Sequence, residues 1–93
     1  MPLATNILKA KAQGFCTAIE RMSEKARTGI PSKEVGEDYN SLRKLVLEAH
    51  PDLAQVMPPE ARVGQNAYGG VSTLISWSTI DTFCQQIVNM LDA

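Results

Sequence analysis

Residues 4–28 carry apolar side chains at alternating spacings of four and three, the repeat that returns side chains to one side of an α-helix. The members of this first stripe are Leu8, Ala12, Phe15, Ile19, Met22 and Ala26. A helix of about seven turns with one apolar side has to bury that side against other parts of the protein. Basic Lys25 and Arg27, followed by Gly29 and Pro31, predict that the helix ends just before residue 29.

A second stripe with the same repeat follows Pro31, and its members are Val35, Tyr39, Leu42, Val46 and Ala49. Ser32 is a suitable N-cap residue, and acidic side chains near the start complement the helix dipole. Pro51 disfavours helical geometry at the residue before it, so we predict a second helix between Ser32 and Pro51. The short turn around residues 29–31 predicts that the first two helices form an antiparallel hairpin.

The next part of the chain is divided by its prolines. Residues 51–57 are predicted to form one further turn, with Leu53 and Val56 facing inward. Residues 58–70 then begin with two prolines and show no sustained period, so we predict a long loop there. Two interpretations of this loop stay open: a slack connection across the end of a bundle, or a surface that contacts a partner.

A third stripe lies near the C-terminus and consists of Thr73, Trp77, Ile80, Cys84, Ile87 and Leu91. It predicts a helix from Thr79 to Leu91. Residues 71–77 are ambiguous, because their alternating β-branched side chains also fit a short strand; we favour helix. Ser78 and Asp81 resemble a capping box and offer an alternative helix start. In either case Trp77 is interpreted as a core residue.

The composition is that of one globular domain, residues 1–93, with 44% apolar residues. One Trp, two Tyr and two Phe leave most of the core to aliphatic side chains and Met. We therefore expect an all-α fold, a small helical bundle. In it, two long helices form the antiparallel hairpin, a C-terminal helix packs across them, and a long loop precedes that last helix.

The formal net charge of −1 conceals a segregation of charge along the chain. Six basic and two acidic side chains give residues 1–33 a net charge of +4, whereas six acids and two bases give residues 34–60 a net charge of −4. Either neighbouring helices carry complementary solvated rims, or one face steers a charged partner. The small net charge of the whole chain argues against a protein whose main task is to neutralise nucleic-acid phosphates.

Two cysteines are too few for a disulfide framework, and the first residues lack the features of a secretory signal. No apolar stretch approaches the ~20 residues that span a bilayer. We therefore expect a cytoplasmic protein with reduced thiols and no membrane association. Cys84 lies on the third stripe and is interpreted as a core residue. Cys16 lies nearer the flank of its helix and is the better candidate for a reactive thiol.

Residue types that carry chemistry are few. His50 is the single histidine, so a zinc site would need Cys and carboxylate ligands at spacings that do not occur in this chain. A cysteine with His50 as its base is formally possible, but neither cysteine has the sequence context of a nucleophile. Gly64, Gly69 and Gly70 lack the lysine and the preceding strand of a phosphate-binding loop. We expect no enzymatic activity, no cofactor and no bound metal.

One short segment consists of His50, Pro51 and Asp52 and follows a helix that carries basic Arg43 and Lys44. It resembles the end of the second helix and the following loop of J-domain co-chaperones, which present His-Pro-Asp to an Hsp70 partner. The resemblance implies an essential contact through the three loop residues and docking through the two basic ones. Alternatively, the histidine occupies a helix C-terminus, where a partly protonated imidazole is favoured, and the proline simply ends the helix.

By elimination, we expect a non-catalytic protein–protein interaction module: an adaptor, regulatory or assembly domain. Its partner would be another protein or a second copy of the chain, as a homo-oligomer. The candidate contact residues are Leu3, Ile7 and Lys11 on the first helix, and Arg62 and Tyr68 in the long loop. Weak nucleic-acid binding through the basic first helix is an alternative. It is disfavoured because the basic side chains do not form one stripe with aromatic side chains between them.

Overall fold

A computed structural model describes residues 4–92 and is mostly helical, with one small two-stranded sheet. The elements are α1 Thr5–Glu20, α2 Glu24–Arg27, α3 Lys33–Ala49, a 3-10 helix Pro51–Gln55, β1 Val63–Gln65, β2 Val71–Thr73 and α4 Trp77–Asp92. The largely helical composition agrees with the predicted class. The sheet is absent from the predicted all-α fold.

The first predicted helix is two helices, so the prediction of one continuous helix over residues 4–28 is wrong. The chain leaves helical geometry after Glu20, and Ser23 starts α2 by accepting a hydrogen bond at its Oγ from the Ala26 N–H, at 3.1 Å. Serine competes with the backbone in a helix interior and stabilises a helix start. The predicted end is confirmed, because α2 stops at Arg27.

Helix α3 begins and ends as its flanking residues predict. Ser32 is its N-cap residue, His50 is its C-cap residue, and Pro51 directly follows His50. Pro51 also opens the 3-10 helix, which supplies the predicted extra turn. Leu53 is half-buried there, but Val56 is 64% exposed, so its predicted inward position is wrong.

Helix α1 runs opposite to α4. Lys9 near the start of α1 forms an ion pair with Asp92 at the end of α4, and Gln85 Nε2 lies 3.5 Å from Glu20 Oε1 at the other end of α1. The core that these helices share with α3 contains Leu8, Ala12, Cys16, Ile19, Tyr39, Leu42, Val46, Ile80, Cys84 and Ile87. All three predicted stripes therefore contribute to one core.

The start of α1 lies beside the end of α3. Thr5 Oγ1 is 2.9 Å from His50 Nε2, which ties the first residue of α1 to the C-cap of α3. Tyr39 of α3 meets Phe83 of α4 with ring centroids 6.0 Å apart. Each of the three long helices therefore contacts the other two.

The segment predicted as loop and helix contains an antiparallel β-hairpin. Val63 pairs with Thr73, and Gln65 pairs with Val71. Its turn uses Gly69 in the left-handed region, with φ of +87°. The preference for helix over residues 71–77 is therefore wrong, because three strand residues precede α4.

Helix α4 confirms the prediction over Thr79 to Leu91 and extends it to Trp77. The capping residue is Ser76 rather than Ser78, because Ser76 Oγ accepts the Thr79 N–H at 3.2 Å. Trp77 is half-buried at the helix start, so it is exposed on one side rather than enclosed in the core.

The hairpin docks on the first turns of α3 through a buried hydroxyl. Thr73 Oγ1 accepts the Gly36 N–H at 2.9 Å and donates to the Ser32 carbonyl at 2.7 Å. Thr73 is fully buried. Glycine is required opposite it, since a Cβ on Gly36 would lie 2.4 Å from this hydroxyl oxygen and 2.9 Å from Val63 Cγ2.

Side chains of α3 also fix the start of the predicted loop. Asn40 forms two hydrogen bonds with Ala61: its Nδ2 donates to the carbonyl at 2.9 Å, and its Oδ1 accepts the N–H at 2.7 Å. The Tyr39 hydroxyl donates to the Pro59 carbonyl at 3.0 Å, and Arg43 Nε donates to the Pro58 carbonyl at 2.7 Å. The slack-connection interpretation is wrong for this stretch, because three side chains of one helix hold it.

We predict that Gly36→Ala lowers the free energy of unfolding by about 2 kcal/mol, because the added methyl group collides with Thr73 and Val63. The matched control is Gly14→Ala, where a Cβ meets nothing within 4 Å. That change lies inside α1 and should stabilise the protein by up to about 1 kcal/mol. Urea denaturation measures both values. Equal effects of the two substitutions would contradict the close packing of the hairpin on α3.

A second prediction concerns Asn40→Ala. Removing the amide leaves both backbone groups of buried Ala61 without partners, which should cost about 2 kcal/mol of unfolding free energy. Asn89→Ala is the matched control, because Asn89 is exposed on α4 and should change stability by less than about 0.5 kcal/mol. Thermal or urea unfolding distinguishes the two. A neutral Asn40→Ala would mean that the amide does not hold this segment.

Candidate functional site

An apolar depression on the surface is a groove between α1 and α3. It comprises two adjoining hollows of about 350 and 320 Å³, which share Lys11, Phe15 and Asp38. We call it the α1–α3 groove. The lining residues are Lys11, Gly14, Phe15, Ala18 and Ile19 of α1, Val35, Asp38, Ser41, Leu42 and Leu45 of α3, and Trp77 of α4.

The groove exists because the two helices present small or flanking residues on this side. Gly14 and Ala18 leave the α1 wall low, and both are exposed. Phe15, Val35 and Trp77 stand at the edge of the core and are only half-buried. A partner that covered these three side chains would therefore remove apolar surface from water.

Each wall of the groove carries a charge of a different sign. Lys11 projects from α1 and Asp38 from α3, and both are exposed. Within residues 4–92 the ion pairs join Lys9 to Asp92 and Arg43 to Glu60, so neither groove charge belongs to an ion pair. The basic and acidic parts of the sequence thus meet across this groove.

The structure brings together only part of the predicted partner-binding set. Ile7 lies one helical turn before Lys11 on α1 and is 45% exposed. Leu3 lies outside the described residues. Arg62 and Tyr68 are exposed in the hairpin region, which packs on the other flank of α3, and neither lines the groove.

Sequence reasoning missed the groove residues of α3 and α4. Val35 and Trp77 belong to the predicted stripes, whose members are expected in the core. Asp38 is one of the acidic side chains near the start of the second predicted helix, which the sequence links only to the helix dipole. The available signal was their position at the edge of a stripe. Which edge stays open depends on how the helices pack, and the sequence period does not contain that information.

The residues of the co-chaperone resemblance lie in the second half of α3, at its C-cap and at the start of the following 3-10 helix. The His50 ring is held beside Thr5, while Pro51 and Asp52 are exposed in the 3-10 helix. Arg43 is engaged with the Pro58 carbonyl and, at 3.6 Å, with Glu60. Lys44 is exposed on α3. The co-chaperone hypothesis stays a prediction.

A further depression of about 470 Å³ lies on the opposite flank of α3. Its lining includes charges of both signs, namely Arg43, Lys44, Glu48 and Glu60. Arg43 and Glu60 form an ion pair across it, which satisfies charges that a ligand would otherwise meet. Arg43 and Glu60 therefore belong to the contacts that fix the chain after Pro58.

Both cysteines are buried thiols of low reactivity. Burial, followed by the nearby Asp81, raises the pKa of Cys16 to about 11. Burial, followed by Cys16 and Asp81, raises the pKa of Cys84 to about 12. The thiolate is the reactive species, so the interpretation of Cys16 as a reactive thiol is wrong, and Cys84 is the core residue that its stripe predicts.

Two further features are absent from residues 4–92. No group of three His, Cys, Asp or Glu side chains in this range is arranged to hold a metal ion. None of the helices in the same range has the length and apolar character needed to cross a membrane. No protein-family model, curated protein or solved structure matches the chain.

We predict that stability falls as the pH rises above about 8. An unfolded thiol loses its proton near its ordinary pKa of 9.0, whereas Cys84 keeps its proton in the folded protein up to about 12. Above the unfolded pKa the unfolded chain binds fewer protons, so alkali favours unfolding. Urea midpoints at several pH values should fall less steeply for Cys84→Ala than for the unchanged protein. Gln86→Ala, at an exposed position of α4, should keep the original slope. Equal slopes for all three proteins would contradict a role for the Cys84 thiol.

Proposed function

We propose that this protein is a non-catalytic interaction module that binds one amphipathic helix of a protein partner in the α1–α3 groove. The observation that carries the proposal is the groove itself, in which half-buried Phe15, Val35 and Trp77 lie between Lys11 and Asp38. An adaptor, regulatory or assembly domain works by such contacts and needs no chemistry of its own.

The shape of the groove favours a helix as the bound element. Two long helices form its walls, and the small side chains of Gly14 and Ala18 allow another backbone to approach α1. A third helix laid along this pair would cover the half-buried aromatic and aliphatic side chains with its own apolar side. Aromatic anchors in a pocket supply most of the energy in such interfaces.

The charges define which helix fits. Lys11 would form an ion pair with an acidic side chain on one edge of the partner helix. Asp38 would form an ion pair with a basic side chain on the other edge. Complementary charge at the rim speeds association and selects orientation more than it adds affinity. The partner is therefore a helix with an apolar side bordered by one acidic and one basic residue.

Trp77 provides the test, because it is the single tryptophan of the chain and lines the groove. The probe is a synthetic helical peptide without tryptophan, with apolar residues at i, i+4 and i+7 and a glutamate and a lysine on opposite edges of that stripe. We expect a saturable blue shift of Trp77 emission as the peptide covers the indole ring.

Ala18→Arg should weaken peptide binding by at least about tenfold, because the long charged side chain occupies the groove mouth. Thr82→Arg adds the same side chain at an exposed position of α4 outside the groove and should leave binding unchanged. Circular dichroism verifies that both variants are folded. If neither variant loses peptide binding, or if both lose it equally, the peptide does not bind in the groove and the proposal is refuted.

A further inference from the structure

We infer that the open edge of β1 pairs with β1 of a second copy of this chain. The two hairpins then join into one antiparallel sheet around a two-fold axis at Gly64. This edge lies outside the α1–α3 groove, so the inference goes beyond the proposed function and does not depend on it. Three features support it: the direction of the main-chain groups of β1, their symmetry around Gly64, and the side chains that the pairing brings together.

Strand β1 bonds to β2 through every second residue of the hairpin arm. The Leu74 N–H donates to the Arg62 carbonyl at 2.7 Å. The Asn66 N–H donates to the Gly70 carbonyl at 2.8 Å. Gly64 lies midway between these two positions and continues the same register with β2. In an antiparallel pair, the residues between such positions direct their main-chain groups to the other side of the strand.

Val63 and Gln65 are these intervening residues, and their main-chain groups form the open edge of β1. Both residues are exposed, and neither main-chain N–H nor C=O of either one has a hydrogen-bond partner among residues 4–92. The outer edge of β2 differs, because Pro31 and Ser32 lie along it and the Thr73 N–H donates to the Pro31 carbonyl at 3.2 Å. The chain therefore leaves the edge of β1 open to a further strand.

The open edge is self-complementary around Gly64. Val63 and Gln65 each lie one residue from Gly64, so a two-fold axis there sets Val63 of one copy opposite Gln65 of the other. The reverse pair forms at the same time, and both pairs exchange two N–H···O=C hydrogen bonds. The two copies of Gly64 meet at the axis as a pair without hydrogen bonds, where strands approach each other most closely. The absence of a side chain leaves room for this approach.

The side chains along this edge suit a second copy. Natural sheets prevent pairing between edges with charged residues, proline or bulges, and Val63–Gln65 contains none of these. Arg62 of one copy lies opposite Asn66 of the other, so the pairing sets no like charges opposite each other. Leu74 is 39% exposed, and its Cδ1 lies 3.5 Å from where a Cβ of Gly64 would be. The axis therefore brings two partly exposed Leu74 side chains to the same face of the joined sheet, which removes apolar surface from water.

The first test measures the association of the full chain by sedimentation equilibrium, from low micromolar to nearly millimolar concentration. The unchanged protein should dimerise. Gly64→Lys alone and Gly64→Glu alone should each weaken self-association by at least about tenfold, because the axis sets each new charge directly opposite its own copy. A mixture of these two variants should recover a dimer, since opposite charges then meet at the axis. Both substitutions fit the fold, because a Cβ at Gly64 makes only an ordinary contact with Leu74.

Gly70→Lys is the matched control. It adds the same side chain to an exposed glycine next to β2, where a Cβ would lie 3.9 Å from Asn66 Nδ2. This position is away from the open edge of β1, so dimerisation should be unchanged. Circular dichroism verifies that all the variants are folded.

Amide hydrogen exchange, followed by NMR, gives a second readout at single residues. The N–H groups of Val63 and Gln65 become hydrogen-bonded only in the dimer, so their exchange should slow as the protein concentration rises. The Gly64 N–H faces β2 within each copy, so its exchange should depend much less on concentration.

A protein that stays monomeric over the whole concentration range would overturn the inference. A dimer that both Gly64 variants retain would also overturn it, and so would a dimer in which exchange at Val63 and Gln65 does not slow. None of these results bears on the peptide binding reported by Trp77, so the proposed function is tested separately.

Discussion

The Thr73 hydroxyl is the contact on which the arrangement of the second half of the chain depends. It joins the Ser32 carbonyl and the Gly36 N–H in a fully buried position, and so fixes the hairpin on the start of α3. Four residues later Trp77 begins α4, and its N–H donates to the Gly29 carbonyl at 3.1 Å. The direction of α4 along α1, and the place of Trp77 in the groove, follow from this anchoring.

The two flanks of α3 have different surroundings. One flank, with Gly36, Asn40 and Arg43, is satisfied internally by the hairpin and by the backbone after Pro58. The other flank, with Asp38 and Leu45, faces the α1–α3 groove and keeps part of its surface accessible. Asn40 and Arg43 on the first flank are paired within the protein, whereas Asp38 on the second flank takes no part in the ion pairs found within residues 4–92.

The sequence predicts most helix ends but not the elements that tertiary contacts create. Helix α3 is recognisable because Ser32 and Pro51 mark its limits. The interruption at Ser23 is hidden, because the apolar period continues through it and only a side-chain cap separates α1 from α2. The hairpin strands have three residues each, so the alternation over residues 71–77 is too short to outweigh the helical stripe that overlaps it. Their position depends on the missing Cβ of Gly36, and from the sequence alone a glycine inside a predicted helix indicates only a low helix propensity.

The antiparallel contact between α1 and α4 has a consequence for how the protein acquires its fold. Lys9 and Asp92 are 83 positions apart in the sequence, so the apolar stripe of α1 has no cover from α4 until α4 itself has been synthesised. Contacts of such large sequence separation form late and slowly. The hairpin and α3 are close in sequence and are able to assemble earlier. During synthesis, the apolar stripe of α1 therefore stays exposed until α4 is available to cover it. Such transiently exposed apolar surface makes a folding chain prone to aggregation.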